Sequence, residues 1–220
     1  MTRIALIHAL AHSIAPINEA FERDWPQAQR MNLLDDSLSA DLARGGAGLD
    51  AAMHLRFARL AQYAVATGAH GILFTCSAFG PCIEAVARQH AALPVMKPSE
   101  AMVQEAIARG GKTGLLATFE PTLASMPREF GGSLPLEVAW AAGALAALNA
   151  GDGACHDALV ADQARQLQAR GCTVIALAQF SMARARRACE VATGLPVLTT
   201  VDSSVRALRR RIERGDGSGD

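Results

Sequence analysis

The feature that most constrains the fold is a segment of the chain that occurs twice. Gly68–Ala85 aligns with Gly171–Ala188, which places Ile72 over Ile175, and the Leu-Pro-Val sequence after each copy aligns once a single deletion is allowed. Self-similarity of this kind indicates a duplicated structural unit. The alternative is that all α/β units look alike at this level of detail, but the order of predicted elements around the two copies also matches.

Both copies lie in an alternation of short apolar runs, small-residue turns and longer amphipathic runs. The predicted strands are Ile4–His8, Gln29–Leu33, Gly71–Thr75, Pro94–Met96, Thr113–Ala117, Leu136–Trp140, Val174–Ala178 and Pro196–Leu198. Continuous apolar strands that alternate with helices are typical of α/β proteins with parallel sheets. We therefore predict an α/β fold with two pseudo-symmetric Rossmann-like lobes, and a loop over 34–48.

The repeat also predicts the domain organisation. Residues 1–110 should form the first lobe, which could also receive the C-terminal helix, and residues 111–215 the second, with a disordered tail at 216–220. Two similar α/β lobes usually bind a ligand in the crevice at the carboxyl ends of their strands. We expect the active site in the cleft between the lobes.

Composition excludes several functional classes. The chain has 21 Lys and Arg against 21 Asp and Glu, and this neutral balance argues against nucleic acid or an anionic membrane as a partner. No stretch is typical of a signal peptide or a membrane span. Five scattered cysteines favour reduced thiols, so we expect a cytoplasmic protein. Neither zinc-site spacing nor a Gly-rich nucleotide loop occurs, so no metal or nucleotide cofactor is predicted.

Cys76 is the first candidate for chemistry. It directly follows the predicted strand Gly71–Thr75, and Pro81 suits the first turn of the next helix. A thiol near a helix N-terminus can have a lowered pKa and act as base or nucleophile. The alternative is a small buried hydrophobic residue. In the second copy Gln179 takes the equivalent position, and its amide takes up no proton at ordinary pH.

Hydroxyl groups follow strand ends in both lobes. Thr118 and Thr122 follow the strand Thr113–Ala117, where hydroxyl and N–H groups could bind a carboxylate, although Thr118 could simply cap the next helix. Ser77 and Ser181 occupy equivalent sites and leave the same two interpretations open.

Other polar groups are ambiguous from sequence alone. His8 and His12 follow the first strand, and each is either an acid-base group or a satisfied polar side chain. The Asp-Asp-Ser-Leu segment at 35–38 either closes over the cleft or forms a solvated turn. The arginine run at 206–211 is predicted to lie on the exposed face of a terminal helix.

Three segments carry a family resemblance. Gly71–Ser77 is similar to a catalytic-cysteine strand, 114–125 to a G-x-x-x-T…T-x-x-S opening of a second lobe, and Gly171–Ser181 to a second cysteine strand. In this order they resemble the aspartate/glutamate/hydantoin racemase superfamily, which includes arylmalonate decarboxylase and maleate cis-trans isomerase. The likeness spans nearly the whole chain.

The resemblance implies an enzyme without pyridoxal phosphate or metal that binds a small carboxylate-bearing substrate. It makes Cys76 the catalytic residue. The predicted substrate-binding residues are Ser77, Thr118, Thr122, Gln179, Ser181 and His8. Family members that racemise place one cysteine on each face of the α-carbon. Because Gln179 falls where the second cysteine is expected, two-cysteine racemisation is not predicted.

A single cysteine leaves several reactions open. Cys76 could add to an unsaturated diacid and allow cis-trans rotation, could protonate an enediolate left by decarboxylation, or could work with a base such as His8 or His12. We expect a cofactor-independent isomerase of this superfamily. The alternative is a non-catalytic protein, derived from such enzymes, that binds a small carboxylate. The sequence also leaves a homo-oligomer open.

Overall fold

Apolar runs form the strands of two parallel sheets in this computed structural model, which describes residues 1–44 and 48–216. The first sheet has the order β2-β1-β3-β4 and the second the order β6-β5-β7-β8. The strands are β1 (Arg3–His8), β2 (Gln29–Leu34), β3 (Gly71–Phe74), β4 (Val95–Met96), β5 (Thr113–Ala117), β6 (Leu136–Trp140), β7 (Val174–Leu177) and β8 (Val197–Thr199). The predicted α/β class with parallel sheets is confirmed.

Helices alternate with these strands. They are α1 (Ile14–Asp24), α2 (Ser37–Ala43), α3 (Ala51–Ala66), α4 (Gly80–Gln89), α5 (Glu100–Arg109), α6 (Glu120–Ser125), α7 (Ala144–Asn149), α8 (Gly153–Ala169), α9 (Arg186–Thr193) and α10 (Thr200–Asp216). Short 3-10 turns lie at Ala11–Ser13, Ser77–Phe79, Met126–Phe130 and Phe180–Ala185. Two of these turns, Ser77–Phe79 and Phe180–Ala185, follow the innermost strands β3 and β7 at equivalent places.

The duplication predicted from the sequence is confirmed by strand order and register. Both sheets place their first strand second in the order and their third strand beside it. Ile72 of β3 pairs with Val95 of β4, and Ile175 of β7 pairs with Val197 of β8 in the same way. The residues that the alignment matches therefore occupy matching positions in the two sheets.

The chain forms two compact units whose boundary differs from the expected one. Among the described residues, the first unit holds 1–44, 48–98 and 201–216, and the second holds 99–200. The division lies at Pro98–Ser99 instead of 110–111, because Met102, Val103 and Ala106 of α5 pack with Leu115 and Ala117 in the core of the second unit. The C-terminal helix α10 groups with the first unit. Of the tail expected at 216–220, only Asp216 lies within the described residues.

The prediction of a loop over 34–48 is wrong for its middle part, which forms α2. The helix buries a single side chain, Leu38, and therefore has no apolar periodicity that a sequence could reveal. The short helix α7 was likewise not predicted, since it buries only Ala144 and Leu148.

The second sheet is covered by helices on both faces. Leu116, Ile175 and Leu177 belong to one apolar cluster together with side chains of α8. Their neighbours Leu115 and Ala176 belong to a second cluster with side chains of α5. The alternation follows from the two-residue period of a strand, and it leaves the carboxyl ends of the strands as the places where polar residues begin.

Charge lies on the surface of α10. The arginines at 206, 209, 210, 211 and 214 are exposed, as predicted, while Leu208 and Ile212 are buried on the opposite side. No helix in the described part of the chain is both long and apolar enough to cross a bilayer.

Candidate functional site

Cys76 lies where β3 gives way to α4 through the 3-10 turn Ser77–Phe79. Its backbone is still extended (φ −124°, ψ 118°), so it continues the strand direction up to the turn, which begins at Ser77. Cys76 is partly exposed as a residue, although its thiol is buried, and Ser77, Ala78 and Phe79 are buried completely or nearly so. The sulfur thus lies at the carboxyl end of the strand, and the buried residues that follow it fix the position of the turn.

Two opposing effects act on the pKa of the Cys76 thiol. Burial raises the pKa of the Cys76 thiol to about 11. The Ala78 backbone N–H and the Ser39 hydroxyl both donate hydrogen bonds to the sulfur, which favours the thiolate, but their effect is smaller. At neutral pH the group is therefore a protonated thiol that already faces two donors able to stabilise a thiolate.

Ser39 reaches Cys76 because α2 is held by an arginine of α3. Arg56 Nη2 lies 2.8 Å from Asp35 Oδ2 and 2.5 Å from Ser37 Oγ, and Arg56 Nη1 lies 2.7 Å from Asp41 Oδ2. The Arg56 guanidinium and the Ser37 hydroxyl lower the pKa of the Asp35 carboxyl, although its partial burial acts in the opposite direction and is the largest single influence. The segment at 35–38 is thus neither a closing flap nor a plain solvated turn, because it is the tethered start of α2.

His8 ends β1 and is completely buried. Its Nε2 lies 3.0 Å from Asn32 Oδ1 and its Nδ1 lies 2.8 Å from Thr75 Oγ1. Since Asn32 Oδ1 can only accept, His8 Nε2 carries the proton and Nδ1 accepts from the Thr75 hydroxyl. Burial lowers the pKa of His8 to about 4, and the hydrogen bond to Asn32 offsets this only in part. His8 is therefore neutral at pH 7 and satisfied at both nitrogens.

A mostly apolar group of side chains with no room for a water molecule lies between His8 and Cys76. It consists of Ile7, His8, Ala9, Leu38, Phe57, Phe74 and Cys76. Phe57 stacks on Phe74 with ring centroids 5.3 Å apart and contacts Phe79 at 4.9 Å. Leu38 of α2 and the aromatic side chains keep the environment of the sulfur poor in water. His12 lies outside this group, in the 3-10 turn Ala11–Ser13.

In the second unit Gln179 occupies the position equivalent to Cys76. It precedes the 3-10 turn Phe180–Ala185 and has the same extended backbone (φ −130°, ψ 147°). Its Oε1 accepts hydrogen bonds from the backbone N–H groups of Thr118 (2.6 Å) and Phe119 (3.0 Å) and from the Thr118 hydroxyl (3.1 Å). Thr118 is therefore not the cap of α6, whose N-cap residue is Phe119.

The remaining predicted site residues are buried. Ser77 begins the turn after Cys76, whereas Ser181 is the second residue of the turn after Gln179, so the two serines lie in equivalent turns but not at equivalent positions. Each is 1% exposed. The hydroxyls of Thr122 and Ser181 are sealed from solvent and have no hydrogen-bond partner within the part of the chain that the structure describes. Buried hydroxyls are normally paired, so these two call for an explanation.

The other cysteines differ from Cys76 in their surroundings. Cys82, Cys172 and Cys189 are buried and Cys155 is exposed on α8, and all five thiols are free. Burial raises the pKa of Cys189 to about 12 and that of Cys82 to about 11. Within residues 1–44 and 48–216, no three His, Cys, Asp or Glu side chains lie close enough to hold a metal ion.

Sequence reasoning reached Cys76 and Gln179 through the repeat but missed Ser39, Asn32 and Arg56. The first donates to the sulfur, the second fixes the His8 tautomer, and the third holds α2. The one available signal was the run of Asp, Ser and Leu at 35–38, which has the polar start and apolar side chain of a short helix.

Comparison with known proteins places this geometry among related folds. The family model for Asp/Glu/hydantoin racemase matches residues 11–208. No curated protein matches the chain in sequence. Among solved structures, glutamate racemase from Francisella tularensis subsp. tularensis SCHU S4, in complex with D-glutamate, is 12% identical with a TM-score of 0.77, and the match covers 98% of this chain and 82% of that one.

Two further solved structures are similar. Allantoin racemase from Klebsiella pneumoniae is 17% identical with a TM-score of 0.74, over 98% of this chain and 89% of that chain. Unliganded arylmalonate decarboxylase is 15% identical with a TM-score of 0.62, over 96% of this chain and 93% of that chain. At these identities the likeness establishes a shared fold.

Proposed function

Because the chain belongs to the Asp/Glu/hydantoin racemase family, we propose that it is a cofactor-independent enzyme that acts at the carbon next to a carboxylate of a small acid. Cys76 is its catalytic residue. The observation that carries this proposal is the position of Cys76 at the end of β3, where its sulfur accepts hydrogen bonds from Ala78 and Ser39.

The protonation state of Cys76 favours one of the open reactions. With a pKa of about 11, the thiol is an acid at neutral pH and only rarely a base. The matching step is protonation of an enediolate, which forms when a malonate-like acid loses CO₂. The S–H bond breaks, a C–H bond forms at the α-carbon, and the resulting thiolate regains its proton from water. Ala78 and Ser39 would stabilise the thiolate during this interval.

Neither His8 nor Gln179 supplies a second proton-transfer group. His8 has a pKa of about 4, and both of its nitrogens are occupied by Asn32 and Thr75. The Gln179 amide does not titrate. A single acidic thiol would deliver its proton to one face of the carbon, so the product of the proposed reaction is a single enantiomer.

The unpaired buried hydroxyls support substrate binding by the second unit. Thr122 and Ser181 each have a sealed oxygen without a partner in the described residues. A carboxylate oxygen is a strong acceptor for such hydroxyls. Ser77 directly follows Cys76 in the first unit and is proposed to bind the same substrate.

The experiment measures turnover and α-carbon exchange together. Malonates, maleate, aspartate, glutamate and hydantoins are incubated in D₂O, and deuterium at the α-carbon and loss of CO₂ are followed by NMR. We expect wild type to convert at least one acid and Cys76→Ala to lose the activity. Cys155→Ala, which removes an exposed thiol on α8, is the matched control and should behave as wild type. Equal conversion by Cys76→Ala would remove Cys76 from the mechanism.

A second candidate is a non-catalytic protein that binds a small carboxylate. The observation that favours it is the same pKa of about 11, since a thiol this weakly acidic is a poor nucleophile at neutral pH. It predicts thermal stabilisation by an acid of the same panel without turnover. Slow alkylation of Cys76 by iodoacetamide that the bound acid does not alter would support it, whereas protection by the acid together with turnover supports the enzyme.

A further inference from the structure

Among the described residues, the side chain of Gln179 is hydrogen-bonded through its carbonyl oxygen only. Three donors converge on Oε1, namely Thr118 N at 2.6 Å, Phe119 N at 3.0 Å and Thr118 Oγ1 at 3.1 Å. Two of these are backbone N–H groups, which can only donate, so the atom they face must be the oxygen. The orientation of the amide is therefore fixed, with Nε2 on the other side.

In this orientation the Nε2 amide nitrogen donates no hydrogen bond to the described part of the protein. The side chain is 6% exposed, yet Nε2 has no hydrogen-bond partner within the described residues and is not among the polar atoms sealed from solvent. A buried amide normally uses its donors. The two N–H groups of Nε2 are thus available to a molecule that approaches Gln179.

The same contacts change the part that Thr118 can play. The family resemblance assigns carboxylate binding to Thr118, but its N–H and hydroxyl already donate to Gln179 Oε1. A carboxylate on these groups would have to displace an acceptor that makes three hydrogen bonds. Gln179 Nε2, in contrast, belongs to a side chain that contacts this loop and is a donor without a partner in the described residues.

We propose that Gln179 is a specificity-determining residue whose Nε2–H donates to a carboxylate or enediolate oxygen of the substrate, while Oε1 stays on the 118–119 loop. The inference rests on the proposed function, because it takes the ligand to be a small carboxylate. Gln179 transfers no proton in this role. It selects an oxygen acceptor at the position where the first unit carries the thiol.

Replacement by glutamate separates this role from a purely structural one. The 118–119 loop needs only an oxygen acceptor, and a carboxylate oxygen supplies a stronger one. The second carboxylate oxygen, however, replaces a donor by a negatively charged acceptor. Gln179→Glu should therefore keep or raise the thermal stability of the protein, yet repel a carboxylate ligand.

The test is equilibrium binding of malonate and maleate to the full chain by calorimetry, in wild type and in Gln179→Glu. We expect the variant to unfold at the wild-type temperature or above and to bind at least about tenfold more weakly, since like charges placed together cost several kcal/mol. Gln166→Glu adds the same charge on the exposed face of α8 and should bind as wild type. Affinity within twofold of wild type in Gln179→Glu overturns the proposal.

A second variant covers the case in which Gln179→Glu does not fold. Gln179→Met removes both the acceptor and the donor, so we expect a lower unfolding temperature together with weaker malonate binding. Wild-type affinity in the folded fraction of this variant also overturns the proposal.

The outcomes for Gln179 and for the proposed enzyme are distinguishable. Binding is repeated in the Cys76→Ala background, where turnover is not needed. If acid binding depends on Gln179 but no turnover occurs, the proposed enzymatic function is refuted and the proposed role of Gln179 is supported. If turnover occurs and Gln179→Glu leaves KM and kcat unchanged, only the proposed role of Gln179 is refuted. No binding of any acid refutes both.

Discussion

Replacing Ser39 by alanine should make the Cys76 thiol a weaker acid. The Ser39 hydroxyl donates to the sulfur, and a hydrogen bond to a charged group contributes about 1.5–3 kcal/mol. Because sulfur is a weak hydrogen-bond acceptor, we take the lower limit, which corresponds to a rise of about one pKa unit. At pH 9 the thiolate fraction then falls about tenfold.

The expected change in reactivity is smaller than the change in thiolate fraction. A thiolate of higher pKa is intrinsically more nucleophilic, and a Brønsted coefficient of about 0.4–0.5 returns roughly a factor of three per unit. The net prediction is alkylation of Cys76 by iodoacetamide that is about three- to fourfold slower at pH 9. The rate is read by mass spectrometry of the Cys76 peptide, in a Cys155→Ala background that removes the exposed thiol.

Ser37→Ala is the matched control for this measurement. Its hydroxyl lies on the same short helix but bonds to Asp35 and Arg56, not to the sulfur. Because the carboxylates of Asp35 and Asp41 still bind Arg56 and hold α2 in this variant, it should not slow alkylation. A Ser39→Ala rate equal to or above that of wild type between pH 8 and 10, or equal slowing in both variants, would contradict the assigned hydrogen bond.

Two further predictions concern stability. His8 has a folded-state pKa of about 4, below its ordinary value of 6.5, so the unfolded chain binds the proton more readily than the folded protein. The free energy of unfolding should therefore fall by on the order of 3 kcal/mol as the pH drops from about 6.5 to about 4. In urea unfolding curves, His8→Asn should flatten this pH dependence. An unchanged slope in His8→Asn would assign the pH dependence to other groups. Leu38→Ala, which empties a fully buried position beside Cys76, should lower the free energy of unfolding by about 2–4 kcal/mol, and a loss below about 1 kcal/mol would mean that α2 does not pack as described.

The sequence predicted those features that depend on runs of similar residues. Strands such as β3 and β7 are short and wholly apolar, and their copies can be aligned, which located Cys76 and its counterpart Gln179. The fold class followed from the same alternation. The domain boundary could not be predicted in this way. Helix α5 belongs to the second unit because it packs against Leu115 and Ala117, and no local sequence pattern encodes these contacts.

The missed parts of the candidate site are long-range polar contacts. Ser39 and Cys76 are far apart in sequence, as are Asn32 and His8, and single hydrogen bonds leave no periodic trace. The internal bonding of Gln179 to Thr118 is of the same kind, since each residue alone is compatible with many partners. Such pairs become visible only when the strand ends are brought together by the sheet.

The return of α10 to the first unit has a consequence for biosynthesis. Gly71, at the start of β3, lies so close to Ile212 and Leu208 that an added Cβ would be 3.0 Å and 3.3 Å from their methyl groups. A ribosome finishes 99–200 before it makes this helix, so the second unit is synthesised completely while the first unit, which carries Cys76, still lacks α10. Nascent chains released before α10 is made would therefore lack the contacts of Leu208 and Ile212 with the start of β3.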